Sequence, residues 1–232
     1  MKLLAVIPVY NEAQNILKVI DDLCEHAPGT DILIVNDGST DNTAAILKDD
    51  MRTVMIDMPF NVGLAYAVQT GLLYAATHDY DYAFQFDGDG QHRAEYINDL
   101  LDEGQKGFDI VIGSRYYTEK RPLSLRMIGS VLIGAAIRLT SGLKVTDPTS
   151  GLRLYNKRLL REFAKNINYE PEPDTIAYLA GRGVKIREIQ VSMNEREFGV
   201  SYFTIAKSIW YMLRMCFSIF FIQWFRKRGA DK

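Results

Sequence analysis

The chain has few residues of the types that mark several common protein classes. Its 232 residues include 2 cysteines and 3 histidines. Because Cys24 and Cys216 are far apart in the sequence, we expect neither a disulfide framework nor a paired-cysteine metal site, and a reducing compartment suits the chain. The formal net charge of −2 argues against a nucleic-acid-binding protein that depends on a broad basic surface.

Two phosphate-binding motifs are also missing. No Gly-x-Gly-x-x-Gly follows the first apolar run and no Walker loop occurs, so we expect neither a dinucleotide oxidoreductase nor a P-loop nucleoside triphosphatase. We expect no signal peptide, because the apolar run at 3–9 is short and leads into Tyr-Asn-Glu instead of a cleavage site. A bound diphosphate would therefore be held by a metal and by cationic side chains.

The first 113 residues alternate short apolar runs with amphipathic stretches, a pattern typical of a parallel sheet with crossover helices. The apolar runs predict strands at 3–9, 31–35, 54–56, 82–86 and 109–112, with two more at 152–155 and 184–191. Helices are predicted at 12–24, 41–48, 64–76 and 94–106. The fold class is therefore α/β, with helices on both faces of a mostly parallel sheet.

An acidic pair follows the fourth predicted strand. Asp87 and Asp89 are separated by Gly88 in the segment Asp-Gly-Asp-Gly-Gln-His. Ligands of open α/β sheets bind beyond the carboxyl ends of strands. Two carboxylates at this spacing repel each other unless a cation lies between them, and Mg²⁺ or Mn²⁺ suits such oxygen ligands. Taken alone, the pair fits a solvated polar turn equally well.

Several motifs, in order, resemble those of family 2 glycosyltransferases, and more narrowly the polyprenyl-phosphate glycosyltransferases typified by dolichol-phosphate mannose synthase. The first three are Ile-Pro-Val-Tyr-Asn-Glu at 7–12, Val-Asn-Asp-Gly-Ser-Thr-Asp at 35–41 and the acidic segment at 87–92. The likeness continues through 113–115, 126–130 and 147–155 and ends at 196–201. Each motif alone is weak evidence, and their order over most of the chain makes the resemblance specific.

The resemblance implies a glycosyltransferase A fold that binds a nucleotide-sugar donor at the carboxyl edge of the sheet. It implies that the base and ribose are held by Pro8, Tyr10, Glu12, Val35 and Asp37. It places the metal at Asp87, Asp89 and Gln91, with Gly88 among the donor-binding residues. It assigns the acceptor's phosphate to Arg115, Arg126 and Ser130, and the donor's phosphate to Arg196. The candidate catalytic residues are Asp89, Arg115, Arg126 and Arg196.

Some of these residues have an alternative structural role. Tyr10 suits packing at a sheet edge, and Asp37 suits a turn before Gly38. Arg126 suits a side chain that extends from an apolar helix to water. His92 suits a helix start as well as a substrate contact.

The implied reaction is inverting transfer of a hexose or N-acetylhexosamine to a polyprenyl phosphate, undecaprenyl phosphate in a bacterium, for cell-envelope polysaccharide synthesis. A UDP-sugar is favoured over a GDP-sugar as donor. A phosphate acceptor is already anionic and needs cations, whereas an alcohol needs a general base. A saccharide acceptor, with Glu172 or Asp174 as base, is the alternative, although both residues also suit a helix start. A second alternative is a non-catalytic nucleotide-sugar-binding subunit of a membrane complex.

The last part of the chain predicts contact with a membrane. Residues 203–225 form the most apolar stretch, and a basic cluster follows at 226–228. On a helix, one narrow polar stripe contains Thr204, Lys207, Tyr211, Arg214 and Ser218. We expect this helix to lie on the cytoplasmic face of the membrane, or to pair with a small membrane protein through the stripe, in preference to a core position.

The predicted organisation has two parts. Residues 1–201 are expected to form the catalytic domain, with a second interfacial helical segment at 123–141. Residues 202–232 are expected to form the membrane-associated helix and its basic tail. A homo-oligomer is a further expectation, and nucleic acid is not an expected partner.

Overall fold

The computed structural model describes residues 1–122, 125–165, 171–195 and 205–222. The strands of the described residues are β1 (Leu3–Val9), β2 (Asp31–Asn36), β3 (Thr53–Asp57), β4 (Tyr82–Gln85), β5 (Ile110–Ser114), β6 (Arg153–Asn156) and β7 (Ile186–Gln190). The α-helices of the same residues are α1 (Ile16–His26), α2 (Thr43–Leu47), α3 (Leu64–Thr77), α4 (Ile97–Gln105), α5 (Leu125–Ser141), α6 (Lys157–Lys165), α7 (Pro173–Gly181) and α8 (Ile205–Phe217). A short 3₁₀ turn at Ala94–Tyr96 precedes α4, and a π-helical turn at Ser218–Ile222 follows α8.

The strands form one sheet in the order β3-β2-β1-β4-β6-β5-β7. Strand β1, the third in this order, is buried along its whole length, because alternate side chains point to opposite faces and both faces are covered by helices. Leu4 and Val6 belong to the core that α3, α5, α6, α7 and α8 cover. Ala5 and Ile7 belong to the core on the other face, beneath α1, α2 and α4. The predicted α/β class, with helices on both faces, is confirmed.

The predicted strands and helices are present with shifted ends. Among the strands and helices predicted in the first 113 residues, the largest shift is at α1, predicted from residue 12 and observed from Ile16. Asn11 has a positive φ of 59°, a conformation that a helix does not contain. The carbonyl of Glu12 then accepts hydrogen bonds from the backbone N–H groups of Asn15 and Ile16. A turn therefore separates β1 from its helix.

Strand β6 runs antiparallel to both of its neighbours, β4 and β5. Gln85 at the carboxyl end of β4 is opposite Arg153 at the amino end of β6. The loop that leads into β6 therefore lies at the sheet edge where β1, β2, β4 and β5 end. This reversal brings residues 147–153 beside the acidic segment.

Helix α8 packs against α5 and α7. Met215 and Ile219 from this region are buried in the same core as β1. Two residues of the predicted polar stripe also face inward: the Tyr211 hydroxyl donates to Glu172 at 2.5 Å, and the Ser218 hydroxyl donates to Asp174 at 2.5 Å. Tyr211 therefore contacts the residue before α7 and Ser218 contacts α7 itself, instead of a membrane partner. None of the helices in the described ranges meets the length and hydropathy that crossing a bilayer requires.

Candidate active site

A cavity of about 570 Å³ opens at the carboxyl edge of the sheet. Its polar wall is formed by Gln85, Asp87, Asp89, Gln91, His92, Arg115, Ser130, Arg153, Glu172 and Tyr211. Its apolar wall includes Leu64, Val68, Met127, Ile133, Met193 and Met212. The cavity therefore combines the predicted metal ligands with two residues predicted for the acceptor's phosphate, Arg115 and Ser130.

The Asp87 carboxylate is held from two sides. Gln85 Nε2 donates to Asp87 Oδ1 at 2.8 Å, and His92 Nε2 lies 3.1 Å from Asp87 Oδ2. Burial acts to raise the pKa of Asp87, but the charge and hydrogen bond of His92, the Gln85 amide and the charge of Arg153 together lower that pKa below its ordinary value. Asp87 is therefore ionised near neutral pH, as a metal ligand must be.

Asp89 and Gln91 lie on a tight loop that other residues hold in place. Asp89 Oδ1 accepts a hydrogen bond from the backbone N–H of Gln91 at 3.1 Å. The backbone N–H of Asn194 donates to the Gln91 carbonyl at 2.8 Å, and the Asn194 side chain donates to the Gly90 carbonyl at 3.3 Å. The segment after β7 thus fixes the position of Gln91.

The donor set fits Mg²⁺ or Mn²⁺ bound together with a diphosphate. Within the described ranges, no group of three or more His, Cys, Asp or Glu side chains is arranged to hold a metal. A metal at Asp87 and Asp89 would therefore take further oxygen ligands from Gln91 and from phosphate, which is how Mg²⁺ is commonly bound.

His92 has a role that the sequence analysis did not foresee. The ring is buried and packs against Phe86, with ring centroids 5.4 Å apart. Its Nδ1 atom has no hydrogen-bond partner among the described residues. The helical turn begins two residues later, at Ala94, whose backbone N–H donates to Asp22. His92 therefore orients Asp87 and does not cap the helix.

Arg115 is bound to a carboxylate from the loop that precedes β6. Its Nε and one terminal nitrogen donate to Asp147 at 2.7 and 2.9 Å, a bidentate ion pair. Burial acts to lower the pKa of Arg115, but the hydrogen bond and charge of Asp147 raise that pKa above its ordinary value. Asp147 belongs to the motif at 147–155, and no role was predicted for it.

Ser130 and Arg126 both belong to α5. The Ser130 hydroxyl is buried, lines the cavity and has no hydrogen-bond partner among the described residues. Arg126 lies four residues earlier in the same helix, and its side chain is outside the part of the chain that the structure describes. Arg196 also falls outside the described residues. The roles expected for both arginines stay predictions.

The residues predicted for the base and ribose lie at the same edge of the sheet, at the ends of β1 and β2. Pro8 and Val35 are buried and pair with each other across these strands. Tyr10 is exposed just after β1. They are not among the described residues that line the cavity, so a nucleoside over these strand ends would lie beside the cavity.

Asp37 and Glu12 make local contacts at this edge. The Asp37 carboxylate accepts hydrogen bonds from the backbone N–H groups of Val62 at 2.7 Å and Gly63 at 2.9 Å. These bonds join Asp37 to residues 25 and 26 positions away and fix the loop before α3, a contact different from the local turn that its position before Gly38 suggested. Glu12 accepts a hydrogen bond from the Asn15 side chain at 2.7 Å.

The two candidate bases have different surroundings. Glu172 lines the cavity and accepts a hydrogen bond from Tyr211. Burial, followed by the charge of Glu172, raises the pKa of Tyr211 well above its ordinary value. Asp174 is buried and accepts hydrogen bonds from the Thr175 backbone and the Ser218 hydroxyl. Glu172 makes no side-chain capping bond to α7.

Arg153 also went unassigned in the sequence analysis. Its two terminal nitrogens donate to the carbonyls of Pro171 and Pro148, each at 2.7 Å. This buried guanidinium joins the loop before α7 to the loop before β6. The antiparallel pairing of β6 with β4 sets Arg153 opposite Gln85, two residues before Asp87, and no pattern in the sequence indicates that pairing.

Comparisons with known proteins give consistent results. The model of the family described as Glycosyl transferase family 2 matches residues 4–163. The chain is 29% identical over 210 residues to the polyprenol monophosphomannose synthase of Mycolicibacterium smegmatis, covering 85% of this chain and 79% of that protein. It is 30% identical over 216 residues to the undecaprenyl-phosphate mannosyltransferase of Micrococcus luteus, covering 87% of each protein.

A solved structure resembles the fold. It is glucosyl-3-phosphoglycerate synthase from Mycobacterium tuberculosis in complex with Mn²⁺, UDP and glucosyl-3-phosphoglycerate, with a TM-score of 0.66 and 17% identity. The match covers 96% of this chain and 79% of that one. At this identity the likeness shows a shared fold.

Proposed function

The chain belongs to glycosyl transferase family 2, and we propose that it transfers a hexose or N-acetylhexosamine from a nucleoside-diphosphate sugar to a polyprenyl phosphate. The observation that carries the proposal is the placement of Arg115 and Ser130 in one cavity with Asp87 and Asp89. The names of two relatives, a polyprenol monophosphomannose synthase and an undecaprenyl-phosphate mannosyltransferase, support the acceptor class.

The acidic residues would bind the donor. Asp87, Asp89 and Gln91 would hold Mg²⁺ or Mn²⁺, which when bound offsets the negative charge that develops on the diphosphate leaving group. His92 and Gln85 keep the Asp87 carboxylate oriented for this task. A nucleoside over the ends of β1 and β2 would bring its diphosphate to Asp89. We favour a UDP-sugar, and the Mn²⁺ bound by the solved neighbour supports the metal.

Arg115 would bind the acceptor. A phosphate monoester is anionic at neutral pH, so its attack on the anomeric carbon needs no general base. It does need a cation that orients it and offsets its repulsion from the donor's diphosphate. Arg115 supplies that cation and Ser130 a hydroxyl donor. A single displacement at the anomeric carbon inverts its configuration.

A saccharide acceptor is the second candidate, and the exposure of Glu172 to the cavity favours it. Glu172 would then accept the proton of the attacking hydroxyl. Asp174 is unsuited to this role, because it is buried and both of its oxygens accept hydrogen bonds. Glu172→Gln removes the base with little change in shape, so it would abolish transfer to a sugar and leave transfer to a phosphate measurable.

We further propose that the enzyme reaches its lipid from the cytoplasmic face of the membrane through an apolar surface on α5 and α8. This apolar surface consists of the exposed side chains Ile128, Val131, Leu132, Trp210, Leu213 and Phe217. Trp210 is 71% exposed and Leu213 61%. On the inner side of the same helices, Met127, Ser130, Tyr211 and Met212 line the cavity. A lipid held at this surface would therefore have its phosphate close to the cavity.

The experiment supplies the purified protein with several labelled UDP- and GDP-sugars and with polyprenyl phosphate in vesicles. The label should become lipid-extractable with a polyprenyl phosphate and not with the corresponding alcohol. A chelator should stop the reaction, and added Mg²⁺ or Mn²⁺ should restore it. Asp89→Asn should remove the activity, whereas a non-catalytic binding subunit would transfer no label even as the wild type. Transfer to soluble saccharides alone would overturn the acceptor assignment.

A further inference from the structure

We propose that Asp147 is a positioning residue for the acceptor's phosphate: it fixes the orientation of the Arg115 guanidinium, and Glu188 in turn fixes Asp147. The inference rests on the proposed function, because Arg115 is assigned there to the acceptor's phosphate. It adds two carboxylates, which are distant in sequence, to the residues that form the acceptor-binding site.

Asp147 acts through Arg115. It is fully buried, with 0% of its side chain exposed, whereas 32% of the Arg115 side chain is exposed and lines the cavity. Both Asp147 oxygens bind the guanidinium, at 2.7 and 2.9 Å, and the backbone N–H of Arg115 donates to the same carboxylate at 3.3 Å. The carboxylate is therefore shielded from substrate and determines which way the arginine points.

The geometry of the pair leaves a defined edge for a phosphate. A guanidinium has five N–H donors in one plane, and a bidentate carboxylate occupies two of them on one side. The three others lie on the edges away from Asp147. The Arg115 guanidinium also lies 5.3 Å from the centre of the Tyr116 ring, another residue that lines the cavity. The arginine is thus fixed before any ligand arrives, which lowers the entropy cost of binding.

Glu188 on β7 holds the turn that carries Asp147. Its buried carboxylate accepts hydrogen bonds from the backbone N–H of Thr146 at 2.8 and 2.9 Å and from the backbone N–H of Asp147 at 2.9 Å. The Thr146 hydroxyl adds a bond to Glu188 at 3.0 Å and another to Ser114 at 2.7 Å. A chain of contacts therefore runs from β7 to the arginine in the cavity.

The direction in which Asp147→Asn changes phosphate binding distinguishes a positioning role from simple electrostatics. Asp147→Asn removes a negative charge beside Arg115, so charge alone predicts tighter binding of a phosphate. An asparagine amide presents one oxygen and one NH₂ group, and that NH₂ group repels an arginine donor. Loss of the fixed orientation therefore predicts weaker binding.

The experiment measures steady-state kinetics and direct binding with farnesyl phosphate, a short polyprenyl phosphate. Asp147→Asn should raise the KM and Kd for farnesyl phosphate about tenfold, with the donor KM changed less than about twofold. Asp109→Asn is the matched control, because Asp109 is a carboxylate that holds Arg158 outside the cavity. Unchanged or tighter binding of farnesyl phosphate by the Asp147 variant would overturn the proposal.

A double-mutant cycle tests whether Asp147 acts through the arginine. Arg115→Ala with Asp147→Asn should bind farnesyl phosphate no more weakly than Arg115→Ala alone. Additive losses would contradict the proposal. If Asp147→Asn fails to fold, Glu188→Gln replaces it, and its effect should have the same direction and be smaller, because the amide keeps one acceptor for the turn.

A further readout is independent of catalysis. In ¹⁵N-labelled protein, the Arg115 Nε–H should give a resolved signal with slow hydrogen exchange, lost in Asp147→Asn and retained in the Asp109 control. A wild type that transfers no sugar to any polyprenyl phosphate would defeat the proposed function. The binding data and the Arg115 signal would still decide whether Asp147 orients the arginine toward a phosphate.

Discussion

Gly151 lies directly against the carboxylate of Asp87: a Cβ added at Gly151 would come within 2.6 Å of Asp87 Oδ2 and 3.0 Å of Gln85 Nε2. The loop before β6 can pass this close to the acidic segment only because residue 151 has no side chain. The position of the acidic segment at 87–92 and that of the Ser-Gly-Leu-Arg segment at 150–153 therefore depend on each other, although about 60 residues separate them in the sequence.

Gly151→Ala should lower kcat/KM by roughly 10- to 100-fold, because a displacement of about 1 Å at a reacting centre has effects of that size. The methyl group would push Asp87 away from Gln85, so the Mn²⁺ concentration for half-maximal activity should rise. Gly113→Ala is the control: its Cβ would meet the apolar side chains of Leu152 and Val191. Equal metal requirements for both variants would contradict the explanation.

His92→Phe should lower the affinity for the metal and leave the fold unchanged. Phenylalanine preserves the packing on Phe86 and removes the contact with Asp87 Oδ2. Loss of a partner that orients a metal ligand typically weakens metal affinity by about 10- to 100-fold. Titration of activity with Mn²⁺ measures the change. His78→Phe, at an exposed histidine stacked on Tyr74, should leave the titration unchanged.

Asp109 makes stability depend on pH. Burial acts to raise the pKa of Asp109, but Arg158, the backbone N–H of Lys185 and Asn156 together lower that pKa below its ordinary value. A lowered folded-state pKa stabilises the protein above the unfolded value, about 3.9, and this stabilisation is lost as the pH falls through the folded value. Asp109→Asn should therefore be less stable than the wild type at pH 7.

Denaturant unfolding at several pH values checks this expectation. The difference in the free energy of unfolding between wild type and Asp109→Asn should shrink as the pH falls below about 4. A difference that stays constant across this range would show that the asparagine acts through packing or neutral hydrogen bonds instead of through the charge.

Leu213→Glu tests the apolar surface of α5 and α8. A charge placed there should reduce sedimentation with anionic vesicles and raise the KM for a long polyprenyl phosphate, because apolar burial and lipid contact are lost together. Met51→Glu is the control, since Met51 is 96% exposed and lies before the amino end of β3, away from the cavity. Equal vesicle binding by the two variants would contradict a membrane role for this surface.

Much of the fold could be predicted from the sequence, because it depends on local pattern. Short apolar runs identified the strands, whereas the acids after β4 fitted a solvated turn equally well until the other motifs, in order, gave them a role. The ordered motifs indicated the glycosyltransferase A fold, which the structural neighbours confirm. The start of α1 was misplaced because the positive φ of Asn11 leaves no trace in hydrophobic periodicity.

The pairings within the site could not be predicted in the same way. The bonds of Asp147 to Arg115 and of Tyr211 to Glu172 join residues 32 and 39 positions apart, and such contacts depend on how elements pack. The division of α8 into buried and exposed residues could not be predicted from the sequence either. The apolar residues of this helix predicted a helix lying on the membrane, in preference to a core position. Met215 is nevertheless buried and Trp210 exposed, a division that only the neighbouring helices α5 and α7 determine.

The reversed direction of β6 has a consequence for how the protein is made. This strand fills the space between β4 and β5, so a nascent chain that has emerged only as far as residue 145 leaves one edge of β4 open and β5 without a partner strand. Such an intermediate has its acids but lacks Asp147, Gly151 and Arg153, and its open edges can pair with other chains. Synthesis of β6 closes this gap and brings Asp147, Gly151 and Arg153 to the site, and the cavity is complete only after Glu172 and Tyr211 have also been made.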